Sequence, residues 1–306
     1  MTTPKALTSF TKRPYWWVYL AGIVILLITV CVWWAKVFMS PEQVFWGMLR
    51  NSLSTSGYTL DISQESSQGS VRQLVQVDLS GKTDRAHLLS TVKQPGTSIE
   101  TEIIGTRDTD YARYRNIDTD QKNAKGKAID LSKVENVWSK SASGDASSGG
   151  SNQLLAQSLL GIPFGTFPVP VGQVSSEARD RLVQQIRDQD IYEVSFKDVK
   201  HKKHNGKQVY AYEVKIQTIL YVRLMKNFAS DLGLHELDDI DPNTYQGTAP
   251  LTFTLLVEPI SRQLVAVENG QQGFKQEYSG YGLPVNIALP KNAITSAELQ
   301  KRLSEL

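Results

Sequence analysis

Hydrophobic and polar positions change their rhythm several times along this chain. From Pro14 to Ala35 there are 22 residues without a charge. A helix of that length spans roughly 33 Å, enough for a hydrocarbon core of about 30 Å. Ser40-Pro41-Glu42-Gln43 then has the form of a helix start: Ser40 as N-cap, Pro41 in the first turn, Gln43 closing a capping box. Phe45, Met48, Leu49 and Leu53 follow at helical spacing up to Gly57. Strict alternation replaces it. Tyr58, Leu60 and Ile62 form one apolar face, and Val71, Val75, Val77 and Leu79 another, across a turn near Gly69. Ala86, Leu88 and Val92 predict a third strand, Ile99 and Ile103 a fourth after Pro95-Gly96, and Tyr111 to Ile117 a fifth.

The rhythm then breaks. Residues 118–152 are polar, with Trp138 as the one large anchor, and nine of the 14 residues from Ser139 to Asn152 are Ser or Gly. Such a stretch cannot bury a core and predicts a flexible loop over 139–152. Helices are predicted at Gln153–Leu160 and Ser176–Gln189, the latter with Ala178, Leu182 and Ile186 on one side. Strands return at Tyr192, Val194 and Phe196 and at Tyr210, Tyr212, Val214 and Ile216, the second beyond an Asn205-Gly206 turn. A helix over 218–232 carries Ile219, Val222, Met225, Ala229 and Leu232. Leu251 to Val257, Leu264 to Val267, and Phe274 with Tyr278 alternate again, and Val285, Ile287 and Leu289 are expected to close the sheet before a last helix. The layout predicts an α+β chain: a transmembrane helix, then one domain with a large antiparallel sheet packed on helices.

Composition sharpens the first element. The chain has 306 residues, 33 basic and 31 acidic. Its first forty residues carry Lys5, Lys12, Arg13 and Lys36 and no acid. Trp16 and Trp17 stand at one end of the apolar run and Trp33 and Trp34 at the other, as membrane-interface anchors should. The excess of positive charge before the run places residues 1–14 in the cytoplasm as a tail, 15–38 across the plasma membrane in a single pass, and 41–306 outside as an extracytoplasmic domain. A cleaved signal peptide would have a shorter apolar run and small residues at its cleavage site, where this chain has Trp33, Trp34, Val37 and Phe38. Cys31 follows Val30 inside the run, which suits a buried small hydrophobe better than a lipidated residue. The net charge of +2 argues against nucleic acid as a partner, and a single cysteine excludes an intramolecular disulfide or a multi-cysteine metal site.

Catalytic patterns are absent from the sequence: there is no Gly-rich phosphate loop ending in Gly-Lys-Ser/Thr, no Gly-x-Ser-x-Gly elbow and no His-Glu-x-x-His. The chain is therefore expected not to be an enzyme and to need no cofactor. His201 and His204, with Asp198 near, have metal-ligand spacing, but Lys202 and Lys203 between them would repel a cation, so a solvated loop is expected. Asp238, Asp239, Asp241 and Asn243 resemble a calcium loop without its glycine and its final glutamate, which favours a plain helix-to-strand connection. His87 and His235 have no partner in sequence. The outstanding feature is Ile162 to Gly172, with three prolines, five large apolar residues and no charge. It must cover something apolar: the domain's own core, a cavity or a membrane.

The stretch Tyr278-Ser279-Gly280-Tyr281-Gly282-Leu283-Pro284-Val285-Asn286-Ile287-Ala288-Leu289-Pro290 resembles the closing segment of the mycobacterial LppX/LprAFG lipoproteins, within the wider LolA-like superfamily. Gly105 to Arg113, the helix at 41–56 and the pair of segments around Val257 to Val267 are similar to other parts of the same pattern, which together cover most of residues 41–290. The resemblance implies a curved, half-barrel antiparallel sheet over helices, an apolar cavity between them, and binding of lipid acyl chains or lipoproteins outside the cytoplasmic membrane. A spanning helix in place of a lipidated cysteine favours a tethered carrier, chaperone or sensor. Ile162, Phe164, Phe167 and Val169 are then candidate rim residues, with Phe196, Tyr210 and Tyr212 as sheet-side contacts. The alternative is a structural or signalling module with a filled core, whose sheet edge or Ser/Gly loop meets another envelope protein.

Overall fold

The computed structural model describes residues 16–80, 84–122, 126–142, 154–160, 169–234, 237–270 and 273–306. Helix α1 runs over Trp16–Phe38. From Tyr19 to Trp33 every described side chain is exposed, on all sides of the helix, with Ile25 at 64% and Leu26 at 63%. No described residue of the domain covers this apolar surface. That fully described stretch measures about 22 Å, and among the described residues no helix is long and apolar enough to cross a membrane. Of the four predicted interface tryptophans, Trp33 is exposed, while the side chains of Trp16, Trp17 and Trp34 lie outside the described ones.

Met39 and Ser40 lead directly into α2 (Pro41–Ser52), where Ser40 accepts the Gln43 N–H at 3.4 Å and Pro41 opens the first turn. Val44, Phe45, Met48 and Leu49 form its buried face. The helix stops at Ser52, short of Gly57. Gly57 instead opens β1, because its Cα lies against the Val77 carbonyl where a Cβ would be only 2.7 Å away.

The five predicted strands follow as β1 (Gly57–Ser66), β2 (Gly69–Asp78), β3 (Arg85–Gln94), β4 (Thr97–Gly105) and β5 (Thr109–Thr119). Beyond them come β6 (Ser139–Ala142), β7 (Tyr192–Val194), β8 (Lys200–His204), β9 (Lys207–Ile216), β10 (Leu251–Glu258), β11 (Gln263–Glu268), β12 (Phe274–Ser279) and β13 (Ile294–Thr295). They build one open sheet in the order β13-β6-β5-β4-β3-β2-β1-β12-β11-β10-β9-β7, with β8 also on β9. All pairings are antiparallel except β13 on β6. Register puts Tyr58 opposite Val77 and Leu60 between Val75 and Tyr278, so the apolar alternation of separate strands fuses into one face.

Three sequence expectations need correcting. Ser139–Ala142, placed in the flexible loop, pairs with β5 as β6, and its Ser139 hydroxyl donates to the Ala112 carbonyl at 3.1 Å; the rest of that loop lies outside the described residues. His201 and His204 sit on strand β8 rather than in a loop. The Asn205-Gly206 turn, with φ of +48° and +79°, closes a tight hairpin that carries the lysines onto an edge strand, where charge is tolerated. Val285 to Leu289 form no strand. Gly280 and Gly282 take positive φ, Pro284 and Pro290 bracket the segment, and the Ile287 carbonyl accepts from Arg85 instead of a ladder neighbour.

Helices α3 (Leu154–Leu160), α4 (Ser176–Asp188) and α5 (Thr218–Asp231) join α2 against the apolar face, and α6 (Ser296–Ser304) packs at β6 and β13. α3 lies over β2, β3 and β4, α2 over β10 and β11, and α4 bridges α2 and α5. Phe45, Met48, Leu49, Tyr58, Tyr212 and Phe228 are fully buried between them. Each such side chain contributes about 1.5–3 kcal/mol by leaving water. Tyr58 also donates its hydroxyl to the Ser158 carbonyl at 2.9 Å, tying β1 to α3. Asp241 caps a short turn of helix at Pro242–Tyr245, the plain connection expected of that acidic stretch.

Candidate functional site: an aromatic-floored groove at the sheet edge

β7 and β8 both pair with β9, but on different stretches of it: Tyr192–Val194 on Val214–Ile216, and Lys200–His204 on Lys207–Ala211. Between them the chain leaves the ladder at 195–199. This break opens a groove of about 1130 Å³ along the sheet edge. Trp46, Tyr192 and Phe196 give it an apolar floor, while Arg187, Lys200, Lys202 and Lys215 alternate around it with Asp190, Glu193, Asp198 and Glu213.

The floor belongs to a larger aromatic network. Phe45 meets Trp46 edge-on at 5.4 Å, Phe196 at 5.6 Å, Tyr192 at 6.2 Å and Tyr212 at 5.4 Å, and Tyr212 meets Tyr210 at 6.3 Å. The Arg187 guanidinium stacks over Trp46 at 4.5 Å. Successive α2 positions set the division of labour: Phe45 points into the core and Trp46 reaches sideways to the groove. Burial pushes the phenols of Tyr192 and Tyr212 well above their usual range, so they are neutral hydrogen-bonding groups at any physiological pH. Several rim charges are engaged: Lys202 pairs with Glu268 at 3.2 Å, Ser195 donates to Asp198 at 2.6 Å, and Gln217 donates to Glu193.

The groove lies beside the root of α1. Arg262 Nη2 donates to the Phe38 carbonyl at 3.0 Å, the Tyr210 hydroxyl to the Met39 carbonyl at 2.9 Å, and the Tyr212 hydroxyl to the Pro41 carbonyl at 2.8 Å. The Phe38 carbonyl, one of those a helix end leaves open, is thus taken by the β10–β11 turn, and the two tyrosines of β9 tie down the Met39 carbonyl that follows it and the Pro41 carbonyl in the first turn of α2. The apolar helix is clamped to the domain, and Trp46 stands on the second turn of the helix that follows.

Of the residues singled out in the sequence, Phe196 lines this groove, and Tyr210 is half-buried behind it, stacked on His201 at 4.7 Å. Tyr212 and Val169 are fully buried in the core. Ile162, Phe164 and Phe167 lie outside the described residues, as does His235. Sequence reasoning missed Trp46, Tyr192 and Arg187. Trp46 follows a core position on α2 and so falls off the apolar stripe, a large aromatic on a flank that was the one available signal.

A second polar constellation sits on the opposite face of the sheet. His87 Nε2 is 2.9 Å from Glu102, Arg113 forks onto the same carboxylate at 2.8 and 2.6 Å, and Arg113 also lies 4.6 Å over Trp138. Burial alone would raise the Glu102 carboxyl, but hydrogen bonds and charge from Arg113 and His87 outweigh it and hold it below the usual range. Its partners satisfy one another across β3, β4 and β5, which makes it a structural cross-strand brace. Among the described residues no group of three or more His, Cys, Asp or Glu side chains is placed to hold a metal.

No protein-family model matches the chain, and no curated protein matches it. Among solved structures, LprF from Mycobacterium bovis is similar, with a TM-score of 0.41 at 12% identity, over 82% of this chain and 97% of that chain.

Proposed function

We propose that this chain is a single-pass protein of the plasma membrane, with its N-terminus in the cytoplasm, whose extracytoplasmic domain takes the apolar chain of a lipid into the edge groove and acts as a tethered carrier, chaperone or sensor. The observation that carries this reading is the clamped root. A helix that is apolar on every described side has no partner for that surface among the described residues of the domain, and an apolar environment is what such a helix requires. Because Arg262, Tyr210 and Tyr212 fix the helix end, the groove is held within a few residues of the membrane surface and is not carried off on a linker. Trp46, Tyr192 and Phe196 supply the apolar contact, at about 25 cal/mol per Å² buried, and the rim lysines suit an anionic headgroup.

Native mass spectrometry of the full chain, purified gently from membranes, tests this. Wild type is expected to carry bound lipid that Phe196→Ser loses, with an unchanged β-sheet circular dichroism spectrum showing that the variant, which gives up the Phe45 and Trp46 ring contacts, is still folded. Equal lipid on both proteins would overturn the groove as the site.

A second reading has its own observation. Between helices and sheet, the described side chains fill the space, and β9 has backbone facing the gap between β7 and β8. That gap spans only Tyr212 and Glu213, so a strand from another envelope protein would add along the outer edge of β8, which has no ladder partner among the described residues. In that case Phe196→Ser would weaken a protein contact and leave lipid content unchanged.

A further inference from the structure

The turn between β10 and β11, Pro259-Ile260-Ser261-Arg262, carries Ile260 at 73% exposure. A lone exposed isoleucine is ordinary. This one is held in place. Asn51 of α2 donates to the Ser261 carbonyl at 3.0 Å and to the Arg262 carbonyl at 3.2 Å. Ser261 N–H donates to Glu258 at 2.9 Å. Arg262 adopts φ of +53°, a left-handed conformation that a non-glycine residue keeps only when its surroundings demand it. Its side chain then crosses α2 at Gly47, where a Cβ would lie 2.3 Å from its Cδ, and reaches the Phe38 carbonyl and, at 5.9 Å, the Phe38 ring. Turn, α2 and the end of α1 form one rigid corner.

Its height relative to a bilayer follows from α1. Trp33 is exposed and stands five helical positions before Phe38, or about 7.5 Å along the axis. Indoles settle at the headgroup level, and the headgroup layer is roughly 5–7 Å deep on each side. Phe38 therefore emerges at the outer part of that layer, and Ile260 is two residues from the arginine that bonds to it. We infer that the β10–β11 turn is a second membrane contact, with Ile260 seated among the lipid headgroups beside α1 and fixing the tilt of the domain so that the groove faces the bilayer. The inference rests on the anchored reading of α1.

The test uses the full chain with Cys31→Ser and one new cysteine at a time, at Ile260, at Val24 within α1 or at Gln68 on the exposed β1–β2 turn. Each is labelled with an environment-sensitive nitrobenzoxadiazole dye and reconstituted into phosphatidylethanolamine–phosphatidylglycerol vesicles bearing nitroxides on the lipids. The inference expects the Ile260 label to be blue-shifted and quenched several-fold more than the Gln68 label, with Val24 quenched by acyl-chain nitroxides. An Ile260 label as wet and unquenched as Gln68, with Val24 quenched, overturns the second contact and leaves the anchor standing. A Val24 label untouched by acyl-chain nitroxides overturns the anchor, and the second contact with it.

Discussion

Asp110 shows how much one side chain can hide in an ordinary strand pattern. It sits on β5, with one carboxylate oxygen accepting the Leu154 N–H at 2.9 Å where α3 begins. The other oxygen is buried and has no hydrogen-bond partner among the described residues. Burial raises the carboxyl to about 6, only partly offset by the Leu154 bond. A folded-state value above the unfolded one means that the protonated form is favoured by folding. The contribution is full below about pH 4 and is lost as pH rises through 6, by about 3 kcal/mol at 1.36 kcal/mol per unit. Asp110→Asn, which cannot ionise, is expected to gain that much on wild type between pH 4 and pH 7 in urea unfolding; a constant difference would show that the carboxylate is solvated. Gly47 makes a second residue-scale case. Alanine there favours the helix by up to about 1 kcal/mol, but its Cβ displaces Arg262. Gly47→Ala is expected to destabilise wild type and to stabilise an Arg262→Ala background, a sign change that a double-mutant cycle reads directly. Neither effect is visible in sequence, since the partners stand 44 positions away for Asp110 and more than 200 for Gly47.

At the scale of elements, the same division holds. Periodicity alone located α2, α4 and α5 to within a few residues, and all of β1 to β5, because each buries one face, and α2 and α4 carry their own caps as well. Ser40 and Pro41 before α2, Ser175 before α4, and Asn205-Gly206 between β8 and β9 are local signals with local causes. What failed depended on distant partners. β8 is a row of lysine and histidine that becomes a strand because β9 offers an edge, and β6 forms from Ser-rich chain because β5 does. Val285 to Leu289 alternate correctly but have no strand to pair with. The clamp at the root of α1 also joins elements 171 residues apart. Tyr212→Phe removes the bond from a core hydroxyl to the Pro41 carbonyl, which keeps its helical partner, and is expected to cost about 1 kcal/mol; Tyr210→Phe, half-exposed, should cost less. Denaturant midpoints of the two variants check the order, and equal losses would contradict the difference in burial.

The whole molecule places its edge where the sequence did not point. Of the apolar Ile162 to Gly172 segment, which the sequence offered as core cover or cavity rim, the described end, Val169 and Val171, is buried in the core, and the groove among the described residues lies between β7 and β8. Phe196 was legible as an alternating aromatic, whereas Trp46 and Arg187 become neighbours only when α2 and α4 pack. In the proposed function this groove, held near the membrane by the clamped helix, takes up a lipid chain. The most direct measurement is photo-crosslinking of the full chain in vesicles containing a phospholipid with a diazirine in its acyl chain, followed by peptide mapping. Adducts are expected on Trp46 and on the Tyr192–Phe196 stretch in addition to those on Tyr19–Trp33. Adducts confined to Tyr19–Trp33, with none in the groove, would contradict it.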